Sequence, residues 1–387
     1  MLALSASTSS ADPYRAGVHL GEALRPASPE VVFLFTSIHY AERGSDLLAG
    51  LHDALEDERV VVVGNSGDGI YESARVSHYG AAALGLSTGG RVRWVTAQAR
   101  GLGADPGGAT RQCLQRLREA GPGGEPSFLF MAADFRADSS KIEEALALDT
   151  RVPLVGGLAA DDDRLRRCFV YAGSEVLEDA LLLLGAYGDI AFDIAVGNSL
   201  RTVGAPGRVT EAAGTRLARI DDLPAMDFVE RETGKPALRT DRGIVSLSVM
   251  DAVHPESKRL RSVIPEFDKP SGGLALYGGI AEGLKVQVCV AEPDDLIREV
   301  YAIAERARTL DFEPAAALIV SCAGRKWLLG ERVDHEVRAL RSAFPRGLPL
   351  VGFPSFAEFG PLKVGGRYTS TFAHNMTYVL LLVGERR

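Results

Sequence analysis

The residues best suited to chemistry in this chain stand in short polar runs, each placed just after an apolar stretch. Cys322-Ala323-Gly324-Arg325 follows the apolar residues 315–320. There the guanidinium of Arg325 offers a rigid fork of donors to a ligand carboxylate; read without a ligand, it pairs with Glu358 or another acid. Cys322 and His374 make a thiol nucleophile and its base if the fold brings them together, and otherwise a free cysteine reads as core. His374-Asn375 precedes the last strand, where Asn375 binds either a ligand or turn backbone. Asp161-Asp162-Asp163 presents carboxylates to a cation or to a ligand amino group, or forms a solvated turn paired with Arg164, Arg166 or Arg167. A calcium loop of the EF-hand kind is excluded, because Arg166 stands where the sixth-position glycine is required. No metal site is expected.

Three of these runs share a pattern. VVVVGNSGD at 60–68, RVPLVGGLAADDD at 151–163 and LPLVGFPSFAE at 348–358 each carry an apolar strand into a glycine, with an acid close behind. Glycine lets a backbone bend sharply or approach a ligand, and open α/β sheets place binding groups at strand ends. Asn65, Ser66, Gly156, Gly157, Asp161, Asp162, Cys322, Arg325, Glu358, His374 and Asn375 are therefore the candidate ligand-binding residues.

The elements that must position them follow from apolar periodicity. Strands are expected at 31–35, 60–63, 128–131, 152–155, 315–320 and 378–383. Helices are expected at 14–24, from Ser45, from Asp105 with Pro106 at its first position, from Ser140 with Glu143 as a capping box, and from Pro293. Residues 79–96 and 274–290 read as two antiparallel hairpins, and 208–220 as a polar one. The expected class is α/β: two lobes of repeated strand-helix-strand-hairpin units, with mixed β-sheets covered by helices. Expected bounds are a flexible leader and short helix over 1–27, a first domain over 28–220 and a second over 221–387. A ligand cleft between lobes follows from that arrangement.

Composition narrows the partners. The chain has 46% hydrophobic and 24% charged residues, as an ordinary globular protein does. A formal net charge of -8 offers phosphate backbones no attraction, so nucleic acid is not expected. No apolar run is long enough to span a bilayer and the N-terminus lacks a secretory pattern, so neither membrane nor export is expected. The 4 cysteines form no C-x-x-C pair, which fits a reducing cytoplasm. Enzyme motifs are absent: the run at 64–68 lacks the last glycine of a nucleophile elbow, and Pro106 replaces the third glycine of a dinucleotide fingerprint.

The motifs VVVGNSGDGI (61–70), PLVGGLAADDD (153–163), GNSLRTVGAPGRVTEA (197–212), SCAGR (321–325), FPRGLPLVGFPSFAEFGP (344–361) and FAHNMT (372–377) together resemble those of FIST-domain proteins, with both the N-terminal and the C-terminal FIST regions. The resemblance implies a sensory, small-ligand-binding module of bacterial signalling, with amino acids as a ligand class. It also implies an alternative, because some FIST proteins are similar to haem-bearing nitric oxide sensors; His374 is the candidate axial ligand, although no C-x-x-C-H attachment motif exists. Where family members tend to have a Cys-Ser-Thr run, this chain has Asn65-Ser66-Gly67. The leading expectation is a non-catalytic cytoplasmic sensor with no cofactor, signalling through a separate protein such as a sensor kinase. A Cys322-dependent hydrolase or transferase is the third reading.

Overall fold

Strand β1 (Leu2–Thr8), helix α1 (Pro13–Leu24), β2 (Val31–Ser37), α2 (Gly44–Leu55) and β3 (Val61–Gly67) lead into a short hairpin, β4 (Ile70–Glu72) and β5 (Val76–Ser77), and then β6 (Ala81–Ser87). The same order recurs as β7 (Val92–Arg100), α3 (Pro106–Ala120), β8 (Phe128–Ala133), α4 (Ser139–Asp149), β9 (Leu154–Leu158), the hairpin β10 (Val170–Ala172) and β11 (Glu175–Leu177), and β12 (Ala180–Gly188). A third round begins at β13 (Ala191–Gly197) and is interrupted by an insertion. The insertion contains β14 (Arg201–Ala213), β15 (Arg216–Ile220), β16 (Leu223–Pro224), α5 (Ala225–Thr233), β17 (Ser246–Met250), β18 (Arg259–Pro265), β19 (Leu274–Leu276) and β20 (Lys285–Val290). The round resumes with α6 (Pro293–Ala307), β21 (Phe312–Cys322), α7 (Ala323–Leu329), α8 (His335–Ala343), β22 (Leu350–Ser355), the hairpin β23 (Glu358–Val364) and β24 (Arg367–His374), and β25 (Tyr378–Arg386). This computed structural model describes residues 1–162, 164–238, 241, 243–250, 259–266 and 272–386, so Asp163 lies outside the described residues.

Each round builds the same six-stranded mixed sheet: β1-β6-β2-β3, β7-β12-β8-β9 and β13-β25-β21-β22, each extended by a borrowed hairpin. The middle pair is parallel and its neighbours are antiparallel in all three. The borrowing is cyclic. The first round's hairpin pairs with β22, the second's with β3 and the third's with β9. The α/β class with mixed sheets under helices is therefore what the structure shows, and its strand-helix-strand unit occurs three times.

Apolar alternation decides which face goes where. Phe33, Phe35, Phe130, Val155, Val320, Val351 and Phe353 point into one core shared by all three sheets. Phe35 stacks on Phe353 at 4.8 Å and Phe33 meets Phe130 edge-on at 5.2 Å, so aromatic contacts tie the rounds together. The opposite faces are covered by α1 with α2, α3 with α4, and α6 with α8. The insertion closes on itself: β14, β20, β17, β18, β19 and β15 pair in turn, and β15 returns to β14, giving an antiparallel barrel with its own core.

Several local expectations need correction. The leader forms β1, paired with β6 over residues 2–8 rather than loose. Residues 79–96 are not a hairpin, because β6 and β7 join different sheets, and β19 and β20 are likewise unpaired with each other. Asp138, not Ser140, caps α4, accepting from the Ser140 N–H at 3.0 Å. Glu143 is thereby free to serve elsewhere.

Candidate functional site

The three glycine motifs are equivalent positions in the three sheets. Gly64 lies opposite Leu34, Gly156 opposite Met131 and Gly352 opposite Ile319 across the parallel pairs. A Cβ at these glycines would sit 1.8, 2.1 and 2.0 Å from the facing carbonyl oxygens. The glycines thus serve close strand contact rather than a bend, and each strand runs on past them.

Beyond these strands the chain crosses to a neighbouring sheet, and the three crossing segments bind one another. Ser66 Oγ donates to the Ala160 carbonyl at 2.9 Å, Asp68 N–H to Pro354 at 3.0 Å, and Leu158 N–H to Ala357 at 2.9 Å. Such mutual pairing satisfies backbone groups that are cut off from water. The expected convergence of the motifs is present, but the segments fill the space between them.

Most predicted ligand residues are committed to this framework. Asn65 Nδ2 donates to the Ser66 carbonyl, and the Ser66 hydroxyl also accepts from the Phe169 N–H. A Cβ at Gly157 would lie 2.5 Å from Ser355 Oγ. Asp161 accepts three backbone N–H groups, from Leu165, Arg166 and Arg167 at 2.7–3.0 Å, so it holds a loop instead of a ligand. Arg325 is wholly buried, with Nε on Glu336 Oε1 at 2.7 Å and Nη1 3.6 Å from Glu299. Its fork is occupied by acids on α8 and α6, and its partner is not Glu358. Asn375 accepts from the Ser262 N–H of the barrel at 3.1 Å and donates to the His374 carbonyl.

Cys322, Glu358 and His374 are buried without the polarity that catalysis needs. Burial, reinforced by the neighbouring Glu358, pushes the Cys322 thiol far up, so it stays protonated at neutral pH. Burial also raises the Glu358 carboxyl to about 8 against hydrogen bonds from Thr377, and lowers His374 to about 4. His374 Nε2 bonds the Gly360 carbonyl at 3.0 Å and no hydrogen bond to Cys322 is present among the described residues. It lines neither of the two openings described next, so the residues do not fit a haem ligand. Cys322, Ser355 and Asn375 do line one opening, a seam of about 20 Å³ shared with Gly243, Ser262, Tyr277 and Trp327. That volume admits one water and no amino acid.

The chemistry lies one step to the side. Asp68 ends the first crossing and Asp162 the second, and their carboxyls lie within hydrogen-bonding reach of each other. Burial, then the Asp68 charge, raises Asp162 to about 6, opposed by Lys326 and Arg164. Lys326 Nζ is 3.3 Å from Asp68 Oδ1, and the Trp327 indole N–H donates to Asp68 Oδ2 at 2.6 Å. Asp68 and Lys326 are almost fully buried, whereas Asp162 is 22% exposed and lies 4.0 Å from His39 Nδ1. Beside His39 a groove of about 500 Å³ opens over Pro13, Ile38 and Phe169, walled by His39, Glu42, Arg43, Asp161, Arg164 and Arg166. Arg43 pairs with Asp46, but Arg164 and Arg166 form no ion pair among the described residues. Two backbone positions here are unusual, Asp162 at φ 57° and Leu165 at φ 52°. Left-handed backbone outside glycine concentrates at binding sites.

Of the eleven residues named from sequence, Asp162 belongs to this cluster and Asp161 lines its groove. Asp68, Lys326, Trp327, His39, Arg164 and Arg166 complete it. Asp68 was within reach as the acid closing the first glycine motif, and Lys326-Trp327 directly continue the SCAGR run. Among the described residues no group of three His, Cys, Asp or Glu side chains is placed to hold a metal ion, and no helix is long and apolar enough to cross a membrane.

Comparison with known proteins places the chain. An uncharacterized protein of Methanocaldococcus jannaschii is 24% identical over 217 residues, covering 51% of this chain and 41% of that protein. The chain thus spans about two fifths of that curated relative's length. Among solved structures, a cyanuric acid hydrolase from A. caulinodans aligns over 100% of this chain and 99% of its own, with 10% identity and a TM-score of 0.38. T. maritima PurL complexed with ATP aligns over 100% of this chain and 71% of its own, with 13% identity and a TM-score of 0.22. Likeness of that degree carries no argument about function. A model described as FIST N domain matches residues 6–223, and one described as FIST C domain matches 225–361. Since the two adjoin and together run from β1 to β23, the chain belongs to the FIST family, whose domains are associated with signal transduction and small-ligand sensing.

Proposed function

We propose that this protein is a non-catalytic sensor that binds a small zwitterion, of the amino-acid class, in the groove beside Asp162. One observation carries the reading: opposite charges line a single opening of about 500 Å³, with Arg164 and Arg166, which form no ion pair among the described residues, on its wall together with Glu42, and Asp162 beside its lining residues His39 and Asp161. The volume falls in the ordinary range for small-molecule sites. A ligand carboxylate would meet the guanidiniums, and its ammonium would meet Asp162. Family membership supports sensing; a separate signalling protein, such as a sensor kinase in a bacterial cytoplasm, would carry the output.

Ligands that bind the folded state alone raise its melting temperature, by an amount set by concentration over Kd. A thermal-shift screen of the twenty amino acids at millimolar concentration is expected to give at least one stabilising hit, lost in Arg164→Ala/Arg166→Ala. A flat response to all twenty, or a hit that survives the double substitution, overturns this assignment.

A further inference from the structure

Three consecutive side chains on α7 reach three different parts of the molecule. Arg325 is rooted beneath α6 and α8 through Glu299 and Glu336. Lys326 holds Asp68, donating also to its carbonyl. Trp327 holds the other oxygen of Asp68, while its ring lies 6.4 Å from that of Phe356 and lines the narrow seam against Gly243, Ser262 and Tyr277 of the inserted barrel. One indole therefore touches both the carboxyl pair and the surface on which the barrel sits.

The remaining barrel contacts described around the seam are polar and specific. Ser262 N–H is held by Asn375 Oδ1 at 3.1 Å, Arg261 Nη1 donates to the Ala373 carbonyl at 2.9 Å, and Arg261 reaches Glu143 at 3.3 Å. Glu143 in turn accepts the Ala373 N–H at 2.9 Å. These bonds fix one orientation of the barrel, and the seam beside them holds room for only about one water, so movement of a side chain as large as Trp327 must be felt there.

We propose that Trp327 couples the Asp68–Asp162 pair to the inserted barrel, so that a change of charge at the pair re-aims the indole and alters how the barrel is seated on the core. This rests on the reading of that pair as the acidic neighbour of the ligand groove, and it names how the site reports its state. While a proton lies between the carboxyls, Asp68 accepts from Asp162, Lys326 and Trp327 together. Loss of that proton sets two carboxylates against each other. Asp162, the more exposed, then turns toward Arg164 and His39, leaving Asp68 to Lys326 and Trp327. A ligand ammonium acts on the same balance. The other titratable or charged groups facing the pair are His39 after β2, His78 after β5, Lys326 on α7 and Arg164 on its own loop.

The proton itself is the probe, so no ligand is needed. The chain has 2 tryptophans, and Trp94 lies remote from the pair with its N–H on Glu30, so Trp94→Phe leaves Trp327 as the only indole reporter. In that background, fluorescence is expected to titrate with a midpoint near pH 6, together with the protection of the Ser262 amide, its exchange divided by the intrinsic rate at each pH. Asp162→Asn, which keeps a hydrogen bond to Asp68, is expected to flatten both signals. Trp327→Phe, which removes the reporter itself, is expected to leave the fold intact and to flatten the Ser262 response. A fluorescence titration that persists in Asp162→Asn would assign it to His39 or His78, and a Ser262 amide whose protection relative to its intrinsic exchange rate does not change with pH would remove the link to the barrel; either result overturns the coupling. Failure of the amino-acid screen, by contrast, leaves these pH measurements unaffected.

Discussion

At the scale of single residues, burial divides the charged side chains into those that hold the fold and those left for a ligand. Arg325 belongs to the first kind. Its guanidinium neutralises Glu336, which is itself fully buried, and Glu299 nearby. Removing one partner of a buried ion pair strands the other, at a cost of about 3–5 kcal/mol. Arg325→Met is therefore expected to lose that much stability in urea unfolding, whereas the exposed Arg166→Ala changes it by less than about 0.5 kcal/mol and weakens ligand binding instead. The opposite ranking would return Arg325 to the ligand site. The sequence revealed that an arginine follows a strand, but not its partner, because Glu299 and Glu336 stand on helices flanking it in the chain and no local spacing links them. Asp162 was legible for the converse reason: acids after a glycine strand end are positioned by that strand alone.

At the scale of elements, the parallel pairs β2–β3, β8–β9 and β21–β22 were the most readable, since each strand is a continuous apolar run joined by helical segments of ordinary length. Their glycines were readable as special, although for another reason than a bend. With a carbonyl oxygen at about 2 Å from the would-be Cβ in each case, no side chain fits without parting the strands. Gly64→Ala, Gly156→Ala and Gly352→Ala are each expected to destabilise by more than about 3 kcal/mol, the range of severe overpacking and strain. Equal losses in denaturant would support equivalence of the three positions; a silent Gly352→Ala would break it. What local pattern misled was pairing. Strands β6 and β7 are separated by a glycine turn yet enter different sheets, because each sheet completes itself with β6, β12 or β25 laid between its first two strands. The hairpin borrowed between rounds is equally invisible locally, being chosen by long-range closure.

At the scale of the whole molecule, that closure buries the interior so thoroughly that its stability must respond to pH through groups no solvent reaches. Glu358 and His374 are direct partners across β23 and β24. Glu358, raised from 4.5 to about 8, contributes stability that is complete below 4.5 and is lost as pH rises through 8. His374, lowered from 6.5 to about 4, contributes stability that is complete above 6.5 and is lost as pH falls through 4. Between 4.5 and 6.5 the two oppose each other, and Asp162, raised from 3.8 to about 6, tilts that interval toward lower stability at its upper end. From 6.5 to 8 Glu358 acts without either. Over that interval the native protein is expected to lose about 2 kcal/mol relative to Glu358→Gln, from the proton linkage of one fully buried carboxyl. Urea unfolding of both proteins at pH 6.5, 7.2 and 8.0 measures the difference directly. Parallel curves for the two would mean that Glu358 is ionised throughout, and that the Thr377 hydroxyl and N–H suffice to hold its charge within the core.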